Sequence, residues 1–185
     1  ICALLWTYRK QEWSGLKNYL VLFLSRAGFG PSSIMIDSEY SFVDKQFSFG
    51  ENLMNQFAVT IAQIKNEIKV SNSIFLLTDF QKDIWESIEK NSLIGISAPT
   101  SAGKSFLILL KAIDLIQKKS GVVVYVVPTL SLVSQVISDF RKLLDDFQLI
   151  DYTLETTYNN TSATPNSIYV LTQEKAIAAF SQSEN

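Results

Sequence analysis

Residues 121 to 128 read GVVVYVVP, an apolar run of strand length closed by a proline. A short continuous run rich in β-branched side chains predicts a strand buried on both faces. Such a strand needs helices above and below it, and the flanking segments supply them. From Asp79 onward the periodicity alternates. DFQKDIWESIEK (79–90) predicts a helix with Phe80, Ile84, Trp85 and Ile88 on one face, and LIGIS (93–97) predicts a short buried strand. KSFLILLKAIDLIQKK (104–119) predicts a helix, and LSLVSQVISDFRKLLDDF (130–147) predicts another. Then LIDYTLETTY (149–158) reads as a strand, NNTSATPN (159–166) as a loop, SIYVL (167–171) as a strand and EKAIAAF (174–180) as a helix. Strands and helices in alternation indicate βαβ units and a doubly wound parallel sheet, an α/β fold.

The preceding residues have a different rhythm. Apolar side chains at helical spacing (Leu4, Leu5, Tyr8, then Leu16, Tyr19, Leu20, Phe23, Leu24) run to the breaker Gly28-Phe29-Gly30-Pro31. Two helices, or one broken at Ser14-Gly15, fit this pattern equally. A polar linker dotted with aromatics follows to Gly50, and Leu53, Phe57, Ile61, Ile64 and Ile68 then predict a further helix. The expected organisation is a mostly helical region over residues 1–75 and an α/β domain over 76–185. The aromatics Trp6, Trp13, Phe42, Phe47 and Phe49 are expected in core or docking surface rather than as base-stacking platforms.

Composition excludes several classes of chemistry. With 47% hydrophobic and 18% charged residues, the chain is globular rather than disordered. There is no histidine, which removes the commonest general base and metal ligand. A lone cysteine, Cys2, has no partner within the chain for a disulfide, which points to a reducing, cytoplasmic setting. The net charge of -2 makes no bulk electrostatic footprint for nucleic acid, so any grip on a polynucleotide must be local. The apolar run within LKNYLVLFLSRAGFG (16–30) is too short to span a bilayer, and a buried helix is the simpler reading. The chain starts at Ile1 without Met or a signal-peptide pattern, and reads as an excised piece.

Three kinds of feature, on four segments, carry chemistry. The first is Ala98-Pro99-Thr100-Ser101-Ala102-Gly103-Lys104-Ser105, a phosphate loop with Ala in place of its first Gly, set between an apolar segment and a helix. Small residues allow backbone N–H groups to wrap a β-phosphate, and the helix start adds partial positive charge. Lys104 would reach the β- and γ-phosphates of ATP, and the Ser105 hydroxyl would hold Mg²⁺. The second is Gln81, on the helix upstream of the loop, whose amide offers the donor and acceptor that an adenine edge requires; a Gln at a helix start also serves as a cap. Third, the strand ends at Pro128-Thr129 and at Leu171-Thr172 each run into a helix. In a parallel sheet such ends share one edge, so Thr129, Ser131 and Thr172 would present hydroxyls and helix amides to phosphodiester oxygens there. Each threonine also suits ordinary N-capping.

In order and spacing these segments resemble the front half of a superfamily-two helicase, the DEAD/DEAH-box and Ski-type group. Phe80-Gln81 is similar to the Q motif, APTSAGKS to motif I, VPTLSLVSQ to motif Ia, and VLTQEK to the later nucleic-acid motif that commonly reads TPE. The resemblance implies a RecA-like P-loop domain and adenine recognition by Gln81. It implies triphosphate binding by Thr100, Ser101, Ala102, Gly103, Lys104 and Ser105, with Lys104 catalytic. Contacts to one strand of DNA or RNA are implied for Pro128, Thr129, Leu130, Thr172, Gln173 and Glu174. Leu130 stands where many members are basic, and Gln173 replaces the usual Pro. No DExH or DEAD sequence occurs in residues 1–185. The resemblance therefore implies a catalytically inactive piece of an ATP-driven helicase, cut before that motif. Another P-loop ATPase of transporter or AAA type shares the cradle but not the Gln helix or the two strand-end motifs. An interaction module in residues 1–75, taking a protein partner, is the remaining alternative.

Overall fold

Backbone contacts divide the chain between Gly103 and Lys104 into two units, Ile1–Gly103 and Lys104–Asn185. The structure, a computed structural model, describes residues 2–9, 12, 14–37, 53–118, 121–158 and 166–183. Trp13, Phe42, Phe47, Phe49, most of the linker to Gly50 and nearly all of the loop NNTSATPN lie outside the described residues.

In the first unit the expected break at Ser14-Gly15 takes the two-helix form. Helix α1 (Cys2–Arg9) and helix α2 (Lys17–Arg26) are separated by a 3₁₀ turn over Ser14–Leu16. A second 3₁₀ segment, Gly30–Met35, follows the glycine breaker, with Pro31 in its first turn. Helix α3 (Leu53–Asn66) packs on α2, and Trp6, Val21, Ile36, Val59 and Leu76 form their shared core. Trp6 thus takes the core role expected of it. Buried Asp37 is paired with Lys17 at 2.7 Å, which satisfies a carboxylate that would be costly to leave alone.

The expected helix through Ile68 ends two residues early. Residues Glu67–Val70 form strand β1, which pairs antiparallel with β2 (Ser73–Leu76) from Glu67↔Leu76 to Val70↔Ser73. Ile68 and Val70 are buried while Lys69 is exposed, a period of two that the helical reading had absorbed. The reversal is made at Ser71, a non-glycine residue at φ 53°. Helix α4 (Asp79–Lys90) then buries Ile84 and Trp85 on the predicted face. Residues 93–97 are the larger departure: they belong to no strand and pair with none among the described residues. A strand exists only by its ladder, and Leu93 is 89% exposed. Apolar composition alone did not supply the partner.

The second unit matches the alternation closely. Helix α5 (Lys104–Lys118), strand β3 (Gly121–Val127), helix α6 (Leu130–Asp146), strand β4 (Thr153–Glu155), strand β5 (Asn166–Thr172) and helix α7 (Gln173–Ser183) follow in order. The three strands form one parallel sheet in the order β3-β5-β4. Tyr125 of β3 meets Phe140 of α6 edge-on at 5.9 Å, and α5 packs on β3 and α6. On the other face Tyr169 and Leu171 of β5 pack with Ala176 of α7. This is the partial α/β, RecA-like arrangement expected, with helices on both faces of a parallel sheet.

Burial on both faces holds for β5, whose residues from Ser167 to Thr172 are all buried. It holds only on one face of β3. There Val122, Val124 and Val126 keep 49%, 42% and 44% of their surface in water, because β3 lies at the sheet edge and α7 reaches it only in part. Among the described residues, no helix is long and apolar enough to cross a membrane. Phe140 is fully buried, with its ring edge-on to Tyr125 of β3. Phe140→Ala should therefore destabilise the chain by about 3–5 kcal/mol in a denaturant titration; a loss below about 1 kcal/mol would show that α6 is not packed as described.

Candidate functional site

The phosphate-loop sequence begins as extended backbone at Pro99 (φ −55°, ψ 155°) and closes into one 3₁₀ turn over Thr100–Ala102. The Ala102 N–H donates to the Pro99 carbonyl at 3.1 Å. That amide is therefore spent inside the turn, whereas the sequence reading had it wrapping a phosphate. The turn ends at Gly103 in the left-handed region (φ 71°, ψ 25°), where a Cβ is strained. A Cβ there would also lie 2.6 Å from Gln81 Nε2, so that side chain would have to shift away. Lys104 is the first residue of α5 and Ser105 the second. The first amides of a helix have no acceptors within it, which is the basis of anion binding at such ends. A left-handed glycine, followed at once by Lys-Ser at a helix start, is a donor set that suits a nucleotide phosphate and its Mg²⁺.

Gln81 has two occupations. Its Oε1 accepts from the Thr78 N–H at 3.0 Å while its own N–H donates to Thr78 Oγ1 at 3.2 Å, a complete capping box at the start of α4. Its Nε2 donates to the Ala102 carbonyl at 3.3 Å. One lone pair and one amide hydrogen remain by inventory for a further ligand. The capping role noted beside adenine binding is thus present, together with a direct link to the loop. Thr78 and Asp79 had no assigned role in the sequence, although the T-x-x-Q spacing is a readable capping signal.

The strand-end residues meet in the second unit. Parallel register pairs Val127 with Thr172, so β3 and β5 finish level and α6 and α7 start from the same edge of the sheet. Thr129 caps α6 by accepting from the Leu132 N–H at 3.4 Å, with Ser131 Oγ 3.1 Å from its own hydroxyl. Pro128, Thr129 and Leu130 are exposed, and Leu130 keeps 67% of its surface in water. Thr172 differs from Thr129: it is buried, and its Oγ1 accepts from the Lys175 N–H at 3.5 Å. Its hydroxyl is turned to local structure, whereas Gln173 and Glu174 face solvent.

Glu174 adds a charge to this edge. A bond from its own backbone N–H, and then one from the Thr172 hydroxyl, hold its carboxyl below the ordinary glutamate range. It stays ionised at neutral pH and lies in the first turn of α7, where a carboxylate is favoured by the helix dipole. Lys175 reaches back to the Thr156 carbonyl at 3.0 Å, tying the segment after β4 to the same helix start.

Neither the curated proteins nor the solved structures include a match to this chain. A family match to the DEAD/DEAH box helicases spans residues 78–185, from the α4 capping threonine through both strand-end motifs. Covering more than half of the sequence, it shows that the chain belongs to the DEAD/DEAH box helicase family.

Proposed function

We propose that residues 76–185 form the ATP- and nucleic-acid-binding front part of the first RecA-like domain of a superfamily-two helicase, closest in type to the Ski-type branch. Residues 1–75 are a helix-rich region placed before it. The reading rests above all on one arrangement: the level ends of β3 and β5, which set two helix starts side by side on one sheet edge. The left-handed Gly103 ahead of Lys104 and Ser105 supports the nucleotide half.

In this reading Thr100, Ser101, Ala102 and Gly103 shape the loop, and Lys104 places its ammonium on the β- and γ-phosphates of ATP. Mg²⁺, held by the Ser105 hydroxyl and phosphate oxygens, supplies charge neutralisation at the transferring phosphoryl group. Gln81 orients the adenine with what remains of its amide. Thr129, with Pro128 and Leu130, faces the backbone of a single strand of DNA or RNA, and Gln173 and Glu174 flank it. Since Thr172 is buried, its part is to hold the α7 start rather than to touch phosphate. Residues 1–185 contain no DExH or DEAD sequence, so by themselves they bind nucleotide without turning it over. Action in a reducing, cytoplasmic setting belongs to the same proposal and rests on the lone Cys2.

A second reading, a protein-docking role for the helix-rich region, is favoured by one observation. Phe57, Ile61 and Ile64 form an apolar stripe along α3 with 61%, 61% and 59% of their surfaces exposed.

Three substitutions and a turnover assay test the main reading. Lys104→Ala should raise the Kd for ATP at least about tenfold, roughly 1.4 kcal/mol; unchanged affinity would remove the nucleotide site. Turnover by residues 1–185 that depends on Lys104 would overturn the claim that they only bind. Gln81→Glu keeps the acceptor that the capping box needs but loses the amide donor, so it should narrow the preference for ATP over GTP while α4 stays intact by circular dichroism. Equal discrimination by the variant and the parent would end the adenine assignment. Thr129→Asp is as good an N-cap as threonine but places a negative charge on the sheet edge. It should preserve thermal stability and weaken single-strand binding about tenfold or more; binding that is unaffected would move the nucleic acid elsewhere.

A further inference from the structure

The start of α4 is tied to the region before it by contacts that converge within three residues. The Leu77 N–H donates to the Asn66 carbonyl at 3.0 Å, and the Asp79 N–H donates to the Gly28 carbonyl at 3.0 Å. The Asn66 side-chain amide donates to Asp79 Oδ1, and Lys65 Nζ stands 3.5 Å from Asp79 Oδ2. The Asp79 side chain lies over Gly28. A Cβ on that glycine would sit 2.8 Å from Asp79 Cγ, and its φ of 79° would strain any other residue. Asn66 is buried at the α3 C-terminus, while the Asp79 side chain is half exposed.

On the same turn, Thr78 and Gln81 are locked together by the capping box, and Gln81 Nε2 meets the Ala102 carbonyl. At 3.3 Å that bond is close to the limit of useful geometry, so a shift of a few tenths of an ångström in the α4 start ends it. Because the capping box binds side chain to backbone, Gln81 has no independent freedom to compensate. Whatever sets Asp79 also sets Gln81.

We infer that Asn66 and Asp79 are positioning residues for the nucleotide loop: their pairing, seated on Gly28, holds the first turn of α4 where the Gln81 amide engages Ala102. The helix-rich region is thereby wired to the nucleotide site through a side-chain pair. The consequence for ATP rests on the nucleotide reading above, whereas the positioning itself does not.

The test uses the full chain. Without nucleotide, Asp79→Ala should shift the NMR resonances of the Gln81 side-chain amide and of the Gly103 N–H, and Asn66→Ala should shift the same signals. With nucleotide, either change should raise the Kd for ATP about three- to tenfold, and the two together should do no more than one alone. In a Gln81→Ala background, Asp79→Ala should leave the Kd within about twofold. The reciprocal exchange Asn66→Asp with Asp79→Asn restores a donor and an acceptor across the pair, and should return both resonances and affinity toward the parent. If Asn66→Ala does not fold, Asp79→Ala at its half-exposed position carries both arms. Shifted resonances without any Lys104-dependent ATP binding would leave the positioning standing and defeat the nucleotide reading. A lower melting temperature with Gln81 and Gly103 resonances unmoved would overturn the inference, as would an undiminished effect of Asp79→Ala in the Gln81→Ala background.

Discussion

Parallel pairing of β3 with β5, from Gly121↔Asn166 to Val127↔Thr172, is the constraint on which the second unit depends. Two parallel strands cannot be joined by a tight turn, so the chain between them must leave the sheet and return. That crossover places α6 on one face, where Phe140 meets Tyr125, and the register brings both strands to the same finishing line. Side-by-side helix starts at Thr129 and Gln173 are then a geometric consequence of the ladder. A one-residue slip in register would turn Tyr169 and Leu171 away from α7 and towards the opposite face, exchanging them with the residues packed there.

The first unit answers a different problem, how to hold the turn over Thr100–Ala102. That turn is made of small residues and takes one contact from a neighbouring helix. Gln81 supplies the contact, the Thr78 capping box holds Gln81, and the Asn66–Asp79 pair over Gly28 holds that turn. The half-exposed Lys65–Asp79 ion pair adds little in comparison, since surface pairs are screened and entropically costly. What matters is the fit of the Asp79 side chain to a glycine that tolerates no substituent.

Much of this was legible in the sequence. Amphipathic spacing located α4, α5 and α6, and the apolar run of β3 announced a sheet with helices on both sides. The APTSAGKS segment implied a loop of small residues running into a helix, and α5 does start at Lys104 behind the turn over Thr100–Ala102. Thr129 and Thr172 were readable as helix caps, and both accept from a backbone N–H in the following turn. The failures share one cause. Period and composition describe a segment by itself, while a strand is defined by its partner. Ile68 fitted a helical stripe until the Ser71 reversal gave β1 a mate, and LIGIS had the composition of a strand without a ladder to join.

By itself, therefore, the sequence determined which segments are helices, where the phosphate-loop residues fall and which hydroxyls stand at helix starts, because these follow from local spacing and capping chemistry. Tertiary structure alone decided that Thr172 is buried while Thr129 is exposed, and that Asn66 and Gly28 meet Asp79. Those outcomes depend on which residues far apart in the chain come into contact, and long-range contact, with the burial it brings, leaves no periodic mark on the residues that make it.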